Sequence, residues 1–143
     1  VKNEMSLTLL CVPSNVAVAR IAVATFAASL GFSVSEIEEI KVAVSEAVSN
    51  SVLHAYPHGE GEVTVRATTE DSEPHGGELV VEVRDTGAGI PDIAKAKEPG
   101  YSTIPEHMGL GLSFMESFMD SLLVESAPGK GTTVRMVKRP CRQ

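Results

Sequence analysis

Four short stretches of this 143-residue chain combine residue types and spacings that folding alone does not demand. Glu46 and Asn50 are four apart in IEEIKVAVSEAVSNSVLHAY, and a helix at 100° per residue puts them on one face. Their wheel neighbours are Val42, Ala43 and Leu53, so a carboxylate and a carboxamide sit in a largely apolar wall. An amide oxygen is a neutral ligand for a hard cation, and a carboxylate can take a proton from an attacking hydroxyl. A solvent-facing pair has the same spacing, so this pair alone leaves both readings open. Next, Asp85-Thr86-Gly87-Ala88-Gly89 follows a strand-like run. An aspartate fixed at a strand end can accept from an exocyclic amine, and Gly87 and Gly89 allow a planar ring close to the backbone. The run is no dinucleotide fingerprint, because Asp92 stands where the third glycine of GxGxxG belongs. Third, Gly109-Leu110-Gly111 opens a helical pattern, where free N–H groups and the helix dipole welcome a phosphate. The fourth is Gly129-Lys130-Gly131-Thr132-Thr133. It is no Walker A loop, since Val124 occupies the place of that motif's first glycine. It reads as a turn between strands, with Thr132 or Thr133 able to offer a hydroxyl to a buried ligand.

These groups must be carried by regular elements. Residues 5–12 alternate enough for a strand, which Pro13 stops while favouring the first turn of a helix. Val16, Ala19, Val23, Phe26 and Leu30 recur at helical spacing through 14–30, and Gly31 ends that helix. A second helix opens at Ser33 or Ser35, each with a glutamate three residues on, and runs to about Ala55. Its Ile37, Ile40, Val44, Val48 and Ser51 form the face expected to meet a sheet. The runs 62–68 and 78–84 alternate as half-buried strands joined through the polar segment 69–77. Pro91-Asp92 starts a short helix, 98–107 is a mobile loop, 109–120 is helical, and 121–125 and 132–137 are strands. The fold class is an α/β (α+β) two-layer sandwich: a mixed, mainly antiparallel sheet with its helices on one face.

Composition narrows the function. Hydrophobic residues are 43% and charged residues 22%, so one domain over 1–143 can bury a core. A net charge of −7 argues against direct nucleic-acid binding, and the basic stretch 130–142 reads as a solvated tail. The longest charge-free run, 21–35, falls short of the roughly 20 apolar residues a membrane span needs. No signal peptide is legible, and Cys11 and Cys141 form neither a CxxC pair nor a metal spacing, so a reduced cytoplasmic protein is expected.

An ExxxN helix, DxGxG after a strand, a loop, GxG opening a helix and a final GTT strand occur here in that order. The conjunction resembles the Bergerat-fold ATP-binding domain (the GHKL superfamily) of histidine kinases, type II topoisomerases, heat-shock chaperones and mismatch-repair clamp proteins. Within it, KNEM, EIKVAVSEAVSNSVLHAY, VRDTGAGIPDIAKA, GLGLSFMESFMDSLLVES and GKGTTV are similar to the anti-sigma F factors of endospore-forming bacteria. That resemblance implies an ATP-dependent serine kinase that phosphorylates an anti-anti-sigma partner, leaving ADP, and holds a sporulation sigma factor inactive. It implies Glu46 as base, Asn50 on Mg²⁺, and Asp85 on the adenine amine, with Gly87 and Gly89 beside the base. Gly109, Leu110 and Gly111 would meet the phosphates, Thr133 would fix the Asp85–adenine contact, and Arg20 would touch protein partners. A flexible lid spans about 92–108, with His107 where an arginine is expected. The alternatives are a related stress-response anti-sigma kinase or a non-catalytic, ATP-dependent sigma-binding module. A homodimer is expected through Leu7, Leu9 and Val16, residues that ordinary core packing would explain equally well. His54, His58, His75 and His107 read as polar surface residues.

Overall fold

A computed structural model describes residues 3–72, 76–90 and 109–141. Five strands, β1 (Asn3–Leu10), β2 (Glu62–Ser72), β3 (Gly76–Asp85), β4 (Ser121–Ser126) and β5 (Thr132–Lys138), form one sheet in the order β1-β2-β3-β5-β4. The expected antiparallel character is realised in full: every neighbouring pair among the described strands is antiparallel. Three helices, α1 (Asn15–Ala27), α2 (Val34–His54) and α3 (Gly109–Phe118), complete the second layer. α2 lies between α1 and α3 and packs on both.

Strand register explains why the helices gather on one side. Leu7, Val65, Val83, Val134 and Val124 stand in line across all five strands, and Met5, Ala67, Val81, Met136 and Leu122 form the next row. Because side chains alternate along a strand, both rows share one face, and their members are buried or packed against the core. The opposite face carries Ser6, Arg66, Glu82 and Arg135 in one row and Arg84 and Thr133 in another. Leu7, Leu9 and Val16 pack against the core, so the core reading of these residues is the one realised.

Local signals set the helix ends. Ser33 rather than Ser35 caps α2: its hydroxyl accepts from Glu36 N at 3.1 Å, while Glu36 Oε1 accepts from Ser33 N at 2.8 Å. The first helical segment tightens into a 3₁₀ turn over Ala28–Leu30, and Gly31 then takes a left-handed φ of 85°. The β2–β3 hairpin is longer than its apolar alternation suggests, pairing as far as Ser72 with Gly76. Main-chain bonds continue there without apolar side chains to advertise them. The expected short helix at Pro91 and the 92–108 lid, with His107, lie outside the described residues, as does His75.

Candidate functional site

The C-terminal half of α2, the end of β3, the start of β5 and the first turns of α3 surround a hollow between sheet and helices. Ala47, Ala55, Val83, Ile90, Leu112 and Val134 give it apolar walls. Asn50, Ser51, His54, Asp85 and Thr132 supply its polar side chains. A few placed polar groups in an apolar cleft are the usual make-up of a small-molecule site.

Asp85 ends β3 beneath α2 and is only 6% exposed. Its Oδ1 accepts from Gly87 N at 3.0 Å and Thr132 N at 3.2 Å, and its Oδ2 accepts from Ser51 Oγ at 2.7 Å. A carboxylate offers about four acceptor positions, so one on Oδ2 remains for a ligand. The ligand group that meets it must donate, which suits an amine and rejects a carbonyl.

The glycines of the 85–89 loop serve close packing more than ligand approach. A Cβ on Gly87 would collide with the Ala55 carbonyl at the end of α2. Gly89 has φ 79°, and a Cβ there would strike the Ala127 carbonyl. Ala88 is pinned from both sides, its N donating to Ala55 O and its O accepting from Gly129 N, each at 2.7 Å. Gly89 lines the hollow, whereas Gly87 acts by orienting Asp85.

Glu46 and Asn50, one turn apart on α2, converge on Gly111 in the first turn of α3. A Cβ built there would lie 2.9 Å from Glu46 Oε2 and 3.5 and 3.6 Å from the two amide atoms of Asn50. The bare Cα of Gly111 lets α3 cross this pair without displacing the Glu46 carboxylate. Gly109, Leu110 and Gly111 open α3, whose first N–H groups lack intrahelical partners and face an anion favourably. Arg20 lies on α1 in a surface groove with Ile21, Glu38, Lys41, Val42, Ser45 and Glu46. One groove thus joins Arg20 to the Glu46 carboxylate.

Two expectations change. Thr132, not Thr133, lines the hollow, because alternation along β5 sends Thr133 to the outer face opposite Arg84 and Glu125. His54 is no simple surface residue: it is half-buried, and its Nε2 is fully buried beside the site. Ser51, read only as sheet-facing, is the Asp85 donor. A hydroxyl on an otherwise apolar helix stripe was the signal for it. Ser126 is a further support, accepting from Ile90 N at 2.7 Å and donating to Gly131 O at 2.9 Å. Its second lone pair then accepts from Thr132 Oγ1 at 2.8 Å, which leaves Thr132 to face the hollow as an acceptor. Cys11, half-buried near Asp85, has its thiol pushed up to about 11 by burial, with the Asp85 charge adding to it.

The amide oxygen of Asn50 fits a magnesium ion, which takes few protein ligands and keeps water and substrate phosphates for the rest. No cluster of three or more His, Cys, Asp or Glu side chains occurs among the described residues, so a cage built by the protein alone is not offered by them. No described helix is long and apolar enough to cross a membrane.

The model of the histidine kinase-like ATPase domain matches residues 12–138. The chain is 45% identical to an anti-sigma F factor of Clostridium acetobutylicum over 140 residues, covering 96% of this chain and 94% of that protein. It is 46% identical to an anti-sigma F factor of Caldanaerobacter subterraneus over 138 residues, covering 95% and 93%. A third such factor, from Oceanobacillus iheyensis, is 45% identical, with 96% and 93% covered. Among solved structures, the blue-light activated histidine kinase of Erythrobacter litoralis EL346 superposes with a TM-score of 0.54 at 24% identity. That match covers 76% of this chain but 31% of the kinase, and it shows a shared fold.

Proposed function

The chain belongs to the histidine kinase-like ATPase domain family and stands among its anti-sigma F factors, and from that premise we propose that it is an ATP-dependent protein serine kinase with two protein partners. One is a sporulation sigma factor, of the sigma F type, that it binds and inhibits. The other is an anti-anti-sigma protein whose serine it phosphorylates. The observation that carries the kinase reading is the convergence of Glu46 and Asn50 on the glycine turn of α3, at the lip of a hollow floored by Asp85.

In this reading adenine enters the hollow amine first and donates to the remaining position on Asp85 Oδ2. Thr132 stands beside that contact in the role expected of Thr133, and Gly89 borders the ring. The main chain of Gly109, Leu110 and Gly111 receives the phosphates, and the amide oxygen of Asn50 would hold the metal. Mg²⁺ supplies positive charge to the phosphate oxygens when bound. The partner serine approaches along the groove that carries Arg20. Glu46 takes the hydroxyl proton as the serine oxygen bonds to the γ-phosphorus, and the bond to the β-phosphate oxygen breaks to leave ADP.

The test is incubation with labelled ATP, Mg²⁺ and the small anti-anti-sigma protein. Label is expected on a serine. Glu46→Gln should lower its rate by about 10²–10⁴-fold while sigma-factor retention on a column persists. Unlabelled partner with wild-type chain, alongside normal sigma retention, would leave the non-catalytic module instead. For the expected homodimer, Leu10, Val12, Val18 and Ile21 are the apolar side chains exposed at the end of β1 and on α1 or just before it. Two free cysteines accord with a reducing cytoplasm.

A further inference from the structure

Tyr56 lies one residue beyond the C-cap of α2 and does not line the hollow. Yet its phenol ties together three separate parts of the fold. The hydroxyl donates to Glu62 O, at the first residue of β2, over 2.7 Å. It accepts from Thr86 N at 3.0 Å, and Thr86 Oγ1 is within 3.4 Å. One donated and two accepted bonds use the full capacity of a phenol oxygen. The ring reaches this position across Gly61, where any Cβ would collide with its carbon atoms.

The peptide that Tyr56 grips adjoins the group that selects the ligand. Thr86 N belongs to the peptide that follows Asp85, and the next N–H, that of Gly87, is a donor to Asp85 Oδ1. Holding Thr86 N fixes one end of this short arc, while Ala55 O holds the other end through Ala88 N at 2.7 Å. The aim of the Asp85 carboxylate thus depends on a hydroxyl outside the site. We propose that Tyr56 is a positioning residue for base selection: it keeps the 85–88 arc tight enough that Asp85 presents a single acceptor to a purine amine. This rests on the nucleotide reading above.

Tyr56→Phe keeps the ring and removes the tie. Binding of adenosine and guanosine diphosphates to the full chain, measured by calorimetry, should show adenosine diphosphate weakened about tenfold, the scale of one hydrogen bond. The guanosine diphosphate constant should hardly move, so the preference between the two shrinks. In phosphotransfer, KM for ATP should rise with kcat kept, because Glu46 and Asn50 are untouched. Gly61→Ala, which pushes the ring aside without deleting the hydroxyl, should give the same pattern. A Tyr56→Phe chain with wild-type affinity and preference overturns the inference, as does equal weakening of both nucleotides, which is what loss of folded protein alone would produce. A wild-type chain that binds neither nucleotide removes the site reading itself.

Discussion

At the scale of single residues, the site works by counting hydrogen bonds. Asp85 has three protein donors and one acceptor position left over, so its preference for an amine follows from what Ser51, Gly87 and Thr132 already occupy. Asp85→Asn replaces one acceptor oxygen with a donor and removes the charge. It should weaken adenosine diphosphate by about ten- to a hundredfold by calorimetry, as expected for a hydrogen bond to a charged group. A change below twofold would mean that the base lies elsewhere. The acid, the amide and the aspartate were legible as types and spacings. Ser51 left only the weak trace of a hydroxyl on a buried stripe, and Tyr56 left none, because a tyrosine after a helix is common for structural reasons alone. Thr132 and Thr133 were indistinguishable until β5 had a register, since adjacent strand residues face opposite sides.

At the scale of elements, α2 is the beam that carries Glu46, Asn50, Ser51 and His54, and both its ends are fastened. Glu36 closes the capping box at one end, and its Oε2 also accepts from Cys141 N at 2.9 Å, tying the tail to the helix. Burial works to raise the Glu36 carboxyl. The N–H groups of Ser33 and Cys141, the Ser33 hydroxyl and the Lys138 charge outweigh it and hold it below the usual range. A carboxylate depressed in the folded state stabilises fully above its unfolded value, and that contribution is lost as pH falls through the lowered one. Glu36→Gln can still form the box and isolates the charge. It should cost up to about 1 kcal/mol near neutral pH after solvent screening, with the gap closing as pH falls through the lowered carboxyl value, in urea unfolding curves. α3 is fastened differently: Lys138, nearly buried, donates to the Phe118 carbonyl at its C-terminal end and lies 3.5 Å from Glu39. A cation there completes the helix dipole whose other end opens at Gly109.

At the scale of the whole molecule, the hollow lies where helix layer and sheet meet, so anything bound in it bridges the two. Adenosine diphosphate with Mg²⁺ at a hundred times its dissociation constant should therefore raise folding stability by about 2.7 kcal/mol, seen as an upward shift in the thermal midpoint. An unmoved midpoint at that saturation would contradict a site formed only in the folded chain. The sequence alone determined the five strands and three long helices in outline, the serine–glutamate spacings that offer a cap, and the four chemical motifs, because each is a local pattern of period, turn residue or short spacing. Tertiary structure decided which face of β5 looks inward, that Gly111 passes close to Glu46 and Asn50, and that a tyrosine outside the cleft aims the aspartate within it. Those facts depend on pairs such as Ser51 with Asp85 or Tyr56 with Thr86, thirty or more residues apart. No local pattern records such distances, since they exist only once strand register and helix packing have brought the chain back on itself.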